Sequence, residues 1–325
     1  MDQTTKTTKT NDITLSRCAE IFRSGDEFTL YCHASPDGDT IGSATALAVA
    51  LTKLGKQAHI FVCDKLPQKL EFIGVGRFMT TEPRGLNVTV DIASRNMLGE
   101  YKASLPDIFD LSIDHHAVNT IECKERLIKA EYIACGEIIY EIVKELGIKI
   151  DKDLALPLYS AISSDSGCFK YPATRPETHM AAAELLATGI DFALINRRLF
   201  EQNTLTQIEL EKAAYNSLKF YLNGKLAVVE LDPELINRLG AAESDMDNLH
   251  QIPRRIKGVE VSALVRVKNG EKKISLRSND YFDVAQFAAQ NFGGGGHLHA
   301  AGCRVPLETE DVGALLAQKL EGQLK

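Results

Sequence analysis

Short β-branched runs alternate with helical stretches through the first 190 residues, and this alternation restricts the fold more than any other feature of the sequence. A β-like run at Phe28–His33 (FTLYCH) leads into an Ala-rich helical stretch, Ile41–Leu54. Further β-branched runs follow at Ala58–Val62, Asn87–Ile92 and Leu111–Ile113, with helical patterns at Gly136–Leu146, Asp153–Ser163 and Pro176–Ala187. Strands separated by helices pair in parallel, because a crossover must carry the chain back to the same end of the sheet, and the helices then cover both faces. Ligands in such sheets collect at the carboxyl ends of the strands.

Beyond residue 190 the texture changes. Ala193–Leu222 lacks proline and reads as a helical connector. Lys225–Glu230, Val259–Lys268 and Lys272–Ser278 alternate as strands, the last two joined by a turn at Asn269–Gly270. A helix at Asp283–Asn291, a glycine run, a strand at Ala301–Val305 and a helix from Glu308 complete the chain. The expected fold is therefore α/β: a mostly parallel N-terminal sheet flanked by helices, a helical connector and a smaller C-terminal α/β domain. The expected boundaries are a disordered tail at 1–12, a first domain at 13–190, the connector at 191–222 and the second domain at 223–325.

Composition narrows the function. Thirty-seven basic residues against 44 acidic ones give a formal net charge of −7, the wrong sign for coating long nucleic acid. A local basic pocket for a small phosphorylated ligand remains compatible with that charge. The seven cysteines are odd in number, scattered and never spaced C-x-x-C, so reduced thiols are expected rather than disulfides or a zinc knuckle. No apolar run approaches the about 18 residues a membrane span needs. MDQTTKTTKTND has no apolar core and is no secretory signal, so a cytoplasmic protein is expected.

Four segments carry carboxylates and imidazoles where a strand or helix meets a loop. They are His33-x-x-x-Asp37-x-Asp39, Asp91, Asp114-His115-His116 and Asp165 just after a helix. A pair of divalent ions about 3.5–4 Å apart needs a bridging carboxylate with further oxygen and nitrogen ligands. This set supplies them without thiolates, which favours Mn²⁺ or Mg²⁺ over structural zinc. Taken singly, a D-x-D in a Pro-Asp-Gly turn is ordinary turn chemistry and a His-His pair is often structural; it is their combination that points to metal.

The segments HASPDGDTIGS, VDIAS, IDHHAVN and SSDSGCFKY, followed by NFGGGGHLHAAG, resemble the successive motifs of the DHH phosphoesterase superfamily and its DHH-associated substrate domain. The chain most resembles the nanoRNase/pAp phosphatase subfamily. That resemblance makes 13–190 the catalytic domain and 223–325 the substrate-binding domain. It implies one metal on His33, Asp37 and Asp91, and a second on Asp39, Asp91, His115 and Asp165, with Asp91 bridging. Asp114 would orient the ligating histidine, and His116 would contact the scissile phosphate or protonate the leaving oxygen. Two places depart from the family pattern: IASRNML after Asp91, and His299 where another basic or polar residue often stands.

Gly293–Gly296 lets the backbone approach an anion closely, and His297 can add a charge-assisted bond. By resemblance Gly294, Gly295, Gly296, His297 and His299 belong to the substrate loop. Residues 251–281 hold eight Lys/Arg against three Asp/Glu; by resemblance, since the family's matching segment lines the substrate cleft, Arg277 in Ser-Leu-Arg-Ser is the expected phosphate or base contact, and its planar guanidinium suits bidentate phosphate binding. The implied activity is two-metal hydrolysis of very short RNA and dephosphorylation of 3′-phosphoadenosine 5′-phosphate (pAp). The alternatives are a cyclic or linear dinucleotide phosphodiesterase, an inorganic pyrophosphatase or exopolyphosphatase, and a non-catalytic nucleotide-binding regulator. Whether the chain pairs as a homodimer is left open.

Overall fold

The computed structural model describes residues 10–246 and 248–324. It contains two compact units that divide between Gln202 and Asn203. The first is built on six strands: β1 (Asn11–Asp12), β2 (Glu27–Cys32), β3 (Gln57–Val62), β4 (Leu86–Val90), β5 (Phe109–Asp114) and β6 (Cys123–Ile128). They lie in the order β1-β6-β5-β4-β2-β3, and every pair is parallel. From β2 the chain moves outward to β3 and then crosses back to β4 on the other side. The strand order therefore reverses between β2 and β4, the place where an open α/β sheet forms a crevice at its carboxyl edge.

The helices are α1 (Leu15–Ser24), α2 (Gly38–Lys53), α3 (Cys135–Glu145), α4 (Lys152–Asp165), α5 (Pro176–Ala187) and α6 (Phe192–Asn196). The α2 helix is buried along its length from Gly38 to Leu51, which explains its alanine-rich composition: small side chains let it pack closely on its neighbours. At Gly42 an added Cβ would stand 2.5 Å from the Pro157 carbonyl and 2.9 Å from the Ala161 backbone, so α2 and α4 meet through the missing side chain. One face of the sheet joins Phe28, Leu30, Leu47, Ile138 and Leu158 in the main core. The other buries Tyr31, Phe61, Phe109 and Ile121.

Two expectations need correction. Of the tail expected at 1–12, residues 1–9 lie outside the described residues, but Asn11–Asp12 form β1 beside Glu125 and Arg126. The Thr10 hydroxyl donates to the Cys123 carbonyl at 2.9 Å and Asp12 pairs with Arg126, which fixes the segment. The connector is also not one helix. The α6 helix runs into a π-helical turn at Arg197–Glu201, and α7 (Leu205–Ser217) starts afresh, capped reciprocally by Thr204 and Gln207.

The second unit continues from α7 with β7 (Lys219–Tyr221), β8 (Leu226–Glu230), β9 (Val261–Lys268), β10 (Glu271–Ser278), β11 (Gly295–His297) and β12 (Ala300–Pro306). Their order is β11-β12-β10-β9-β8-β7, and only β8 and β9 are parallel. The helices α8 (Pro233–Leu239), α9 (Gln251–Arg254), α10 (Val284–Phe292) and α11 (Val312–Leu320) accompany this sheet. The expected glycine loop is partly a strand: Gly295–His297 pairs with Ala300–Gly302. A Cβ on Gly294 would lie 2.3 Å from the Gly302 carbonyl, and one on Gly296 2.3 Å from the Ala300 carbonyl, so the glycines permit this close pairing. None of the seven cysteines is paired. Among the described residues no helix is long and apolar enough to cross a membrane.

Candidate metal centre

The strand reversal collects the acidic and histidine segments at one edge of the first unit. His33 directly follows β2 and is buried. Its Nδ1 lies 2.9 Å from the Ala34 carbonyl. A carbonyl only accepts, so Nδ1 carries hydrogen there and Nε2 is the nitrogen left for a ligand. That Nε2 faces Asp37 Oδ1 at 3.7 Å and Asp91 Oδ2 at 3.6 Å. Asp37 is also the N-cap of α2, accepting from the Asp39 and Thr40 amides at 3.0 and 3.1 Å. The ordinary turn role and the ligand role thus coexist in one side chain.

Asp39, in the first turn of α2, is fully buried. It accepts from the Cys135 amide at 2.6 Å, the Gly136 amide at 2.9 Å and the Ser43 hydroxyl at 2.9 Å. The N-terminus of α3 therefore holds the carboxylate in place with its free N–H groups. Asp91 follows β4 in a left-handed backbone (φ 62°), while its amide continues the sheet by donating to Ile113. Its Oδ1 is buried without a hydrogen-bond partner. His115 Nε2 lies 3.4 Å from Asp91 Oδ1, 3.4 Å from Asp165 Oδ2 and 3.8 Å from Asp39 Oδ2. Asp165 is the last residue of α4, not the residue after it.

Three sets of donor atoms converge within 4.8 Å of one another: His33, Asp37 and Asp91; Asp39, His115 and Asp165; and Asp91, His115 and His116. Asp91 divides its oxygens between them, Oδ2 toward His33 and Oδ1 toward His115. An orphaned, buried carboxylate oxygen between two sets of N and O donors fits a divalent cation. Cys135 is close by, but burial and then Asp39 hold its thiol well above the usual range, so it is no thiolate ligand. Burial alone pushes both ring pKa values down. Asp37 and Asp91 nonetheless lift His33 to about 11, and Asp165 and Asp91 lift His115 to about 12. Burial raises Asp165 to about 6 against the opposing pull of His115.

Asp114 orients a different ring from the one expected. Its Oδ1 takes the Nδ1–H of His116 at 2.7 Å and the His115 backbone amide at 2.8 Å, while Oδ2 takes Asn119 Nδ2 at 2.6 Å. The ring of His115 instead bonds the Tyr132 carbonyl at 3.2 Å. The Asp114 bond raises the pKa of His116 against the opposing effect of burial. Several residues in this support escaped the sequence reading. Arg175 stacks 4.2 Å over the Tyr132 ring and pairs with Glu137 at 3.3 Å, and Glu137 also accepts the Ile133 amide.

The residues expected to hold substrate gather separately, at one end of the second unit's sheet. Arg277 and His297 both stand opposite Ala300, and His299 Nδ1 lies 2.9 Å from the Ser278 hydroxyl. Arg277 is half-buried, with Nη1 donating to the Leu276 carbonyl, whereas Gly295, Gly296 and His297 are exposed.

Residues 27–162 match the N-terminal domain of the DHH family, and residues 223–325 match the DHHA1 domain. The chain belongs to the DHH family and joins these two domains in a hydrolase of the phosphoesterase type. Over 277 residues it is 29% identical to the bifunctional oligoribonuclease and PAP phosphatase NrnA of Thermus thermophilus, covering 83% of this chain and 81% of that one. A probable manganese-dependent inorganic pyrophosphatase of Bacillus licheniformis is 32% identical over 172 residues, 50% of this chain and 55% of the relative. The crystal structure of an exopolyphosphatase-related protein from Bacteroides fragilis superposes with a TM-score of 0.84 at 25% identity, covering 94% and 95% of the two chains.

Proposed function

We propose that this chain hydrolyses very short oligoribonucleotides to mononucleotides and removes the 3′-phosphate of pAp, in the cytoplasm and without engaging long nucleic acid. The observation that carries the reading is Asp91, whose two oxygens face two separate donor sets. His33, Asp37 and Asp91 would hold one ion, and Asp39, Asp91, His115 and Asp165 the other. Mn²⁺ is favoured, with Mg²⁺ compatible. When bound, such ions supply the Lewis acidity that eases deprotonation of a water and offsets phosphate charge.

The protein's own groups do the rest. The Tyr132 carbonyl fixes the His115 ring, and the α3 amides fix Asp39, so the donors are set before substrate arrives. Asp114 keeps the Nδ1 proton on His116 and raises its basicity, leaving Nε2 to carry a proton to the departing ribose oxygen. The first unit is the catalytic domain. Arg277, Gly294, Gly295, Gly296, His297 and His299 of the second bind the rest of the nucleotide.

Support for the RNA and pAp substrates comes from the Thermus relative, whose similarity extends over most of the chain. The pyrophosphatase relative, at higher identity over half of the chain, motivates the second reading. Chelator-stripped protein restored with Mn²⁺ and offered a diribonucleotide, pAp, a cyclic dinucleotide and pyrophosphate side by side separates the two. Loss of the diribonucleotide and pAp with pyrophosphate untouched is expected; turnover of pyrophosphate alone would overturn the assignment. Asp91→Ala should abolish turnover, and near-wild-type activity in saturating Mn²⁺ would remove Asp91 from its bridging role.

A further inference from the structure

The basic segment of the second unit contains cations of two kinds. Arg266 and Lys268 are matched to Glu243 at 3.3 and 3.2 Å, and Lys272 to Glu230 at 2.7 Å. These are ion-paired side chains on a sheet, with Arg266 and Lys268 sharing one carboxylate. Arg254, Arg255 and Lys257 form no ion pair among the described residues, and neither does Lys225. All four line one concavity of about 430 Å³, a volume within the usual range for small-molecule sites.

The lining is organised around Asn279, which follows β10. Its Oδ1 accepts from Arg254 Nε at 3.0 Å, and its Nδ2 donates to the Arg254 and Val259 carbonyls at 3.0 and 2.8 Å. Arg254 is thus held by its backbone and by one guanidinium nitrogen, with its two terminal nitrogens uncommitted. Two carboxylates, Glu260 and Asp280, also line the concavity. Glu260 is buried and accepts the backbone amides of Tyr281 and Phe282 at 2.9 and 2.8 Å, so it neutralises none of the four cations. Four cations against two carboxylates leave a charge of +2, the complement of a phosphomonoester dianion. Arg277, the expected substrate contact, stands in β10 two residues before Asn279, which lines this pocket.

We propose that Lys225, Arg254, Arg255 and Lys257 form a subsite for a terminal phosphate of the nucleotide substrate. This rests on the oligoribonuclease reading and refines it: the protein selects short strands that end in phosphate over strands that end in hydroxyl. Planar guanidinium groups and flexible ammonium groups together suit a tetrahedral anion with several acceptor oxygens.

The test uses the full chain with three diribonucleotides: one bearing a 5′-phosphate, one bearing a 3′-phosphate and one with neither. Binding is measured calorimetrically on chelator-treated protein, so the result does not depend on hydrolysis, and KM is measured separately with Mn²⁺. One phosphorylated form should bind about tenfold or more tighter than the unphosphorylated one, the scale of charge-assisted bonds to a single phosphate. The doubly charge-reversed variant Arg255→Glu/Lys257→Glu, altered only at exposed positions, should bring that ratio close to one. A ratio near one in the unaltered protein, or one that survives charge reversal, would overturn the subsite. Preserved discrimination in binding with no RNA hydrolysis would instead overturn the catalytic reading and leave the subsite standing.

Discussion

Gly42→Ala tests whether the close approach of α2 and α4 assembles the metal centre. In the structure the new Cβ would lie 2.5 Å from the Pro157 carbonyl oxygen and 2.9 Å from both the Cβ and the amide nitrogen of Ala161. Ordinary contact begins near 3.4 Å, so the closest pair is short by 0.9 Å. Two of the obstructing atoms are backbone and the third is an alanine Cβ, none of which can rotate aside, and the helices must part by a similar distance. Overpacking of this kind costs about 1–3 kcal/mol, and three short contacts put Gly42→Ala at the upper end. Replacing a helical glycine by alanine returns about 1 kcal/mol, leaving a net loss of about 2 kcal/mol. For a unit of this size that is a fall in Tm of about 4–8 °C. Because α2 carries Asp39 and α4 carries Asp165, the parting should also weaken Mn²⁺ binding. Calorimetric unfolding with chelator and a Mn²⁺ titration measure the two effects. Gly76→Ala is the control, since nothing lies within 4 Å of that position and its φ is not left-handed. A Tm in Gly42→Ala no lower than in Gly76→Ala would refute the packing argument. A lowered Tm with unchanged Mn²⁺ affinity would refute the link to the site.

Two further predictions concern the metal donors. In metal-free protein His33 and His115, with ring pKa values lifted to about 11 and about 12, hold protons at neutral pH. A metal at either Nε2 displaces one, so raising the pH favours binding, and each Kd should fall about tenfold per pH unit near neutrality. Calorimetric titration of Mn²⁺ in buffers of different ionisation enthalpy should count at least one proton released per ion; a buffer-independent enthalpy would contradict this. Arg175→Ala removes the guanidinium stacked on Tyr132 and paired with Glu137, loosening the loop that fixes His115. Mn²⁺ affinity should fall about 10–100-fold, as for other supporting partners of metal ligands, and unchanged affinity by titration would remove Arg175 from that role.

The parts of this molecule that were legible in the sequence are those in which residue type carries the physics. β2, β4 and β5 and helices α2 to α5 follow from hydrophobic periodicity, because each buries a continuous apolar surface. β6 (CKERLI) was missed because three of its six residues are charged, and β1 because two residues carry no pattern. The connector's break was written in Thr204 and Gln207, a capping box hidden inside an otherwise continuous helical stretch. The proposed metal donors were legible because few side chains other than carboxylates and imidazoles can serve. Their support was not, since the Tyr132 carbonyl and the Cys135 and Gly136 amides are backbone groups that any residue supplies. Asp114 was assigned to the wrong ring for a related reason. Two adjacent histidines look equivalent in sequence, and only the path of the chain after β5 turns the second one back onto the carboxylate.

The distribution of strain argues that the donors are held in position and do not assemble around a ligand. Seven non-glycine residues among those described have a left-handed backbone, and four of them lie at or near a proposed donor: Ser35, Asp91, Cys168 and Phe169. Ser35 lies between His33 and Asp37, Asp91 is itself the bridging candidate, and Cys168 and Phe169 close the turn after Asp165. Such conformations cost about 1–3 kcal/mol each and persist only where the surrounding structure enforces them. Here that structure is the sheet, which keeps the Asp91 amide bonded to Ile113, and the end of α4, where the Cys168 amide bonds the Ser163 carbonyl. The same edge also buries Asp91 Oδ1, which accepts no hydrogen bond among the described residues and faces His115 Nε2 at 3.4 Å. Strain and a buried carboxylate oxygen without a hydrogen bond each cost stability. Their coincidence at the strand reversal fits a fold that keeps these groups pointed at one another so that cations, on binding, find their ligands already in place.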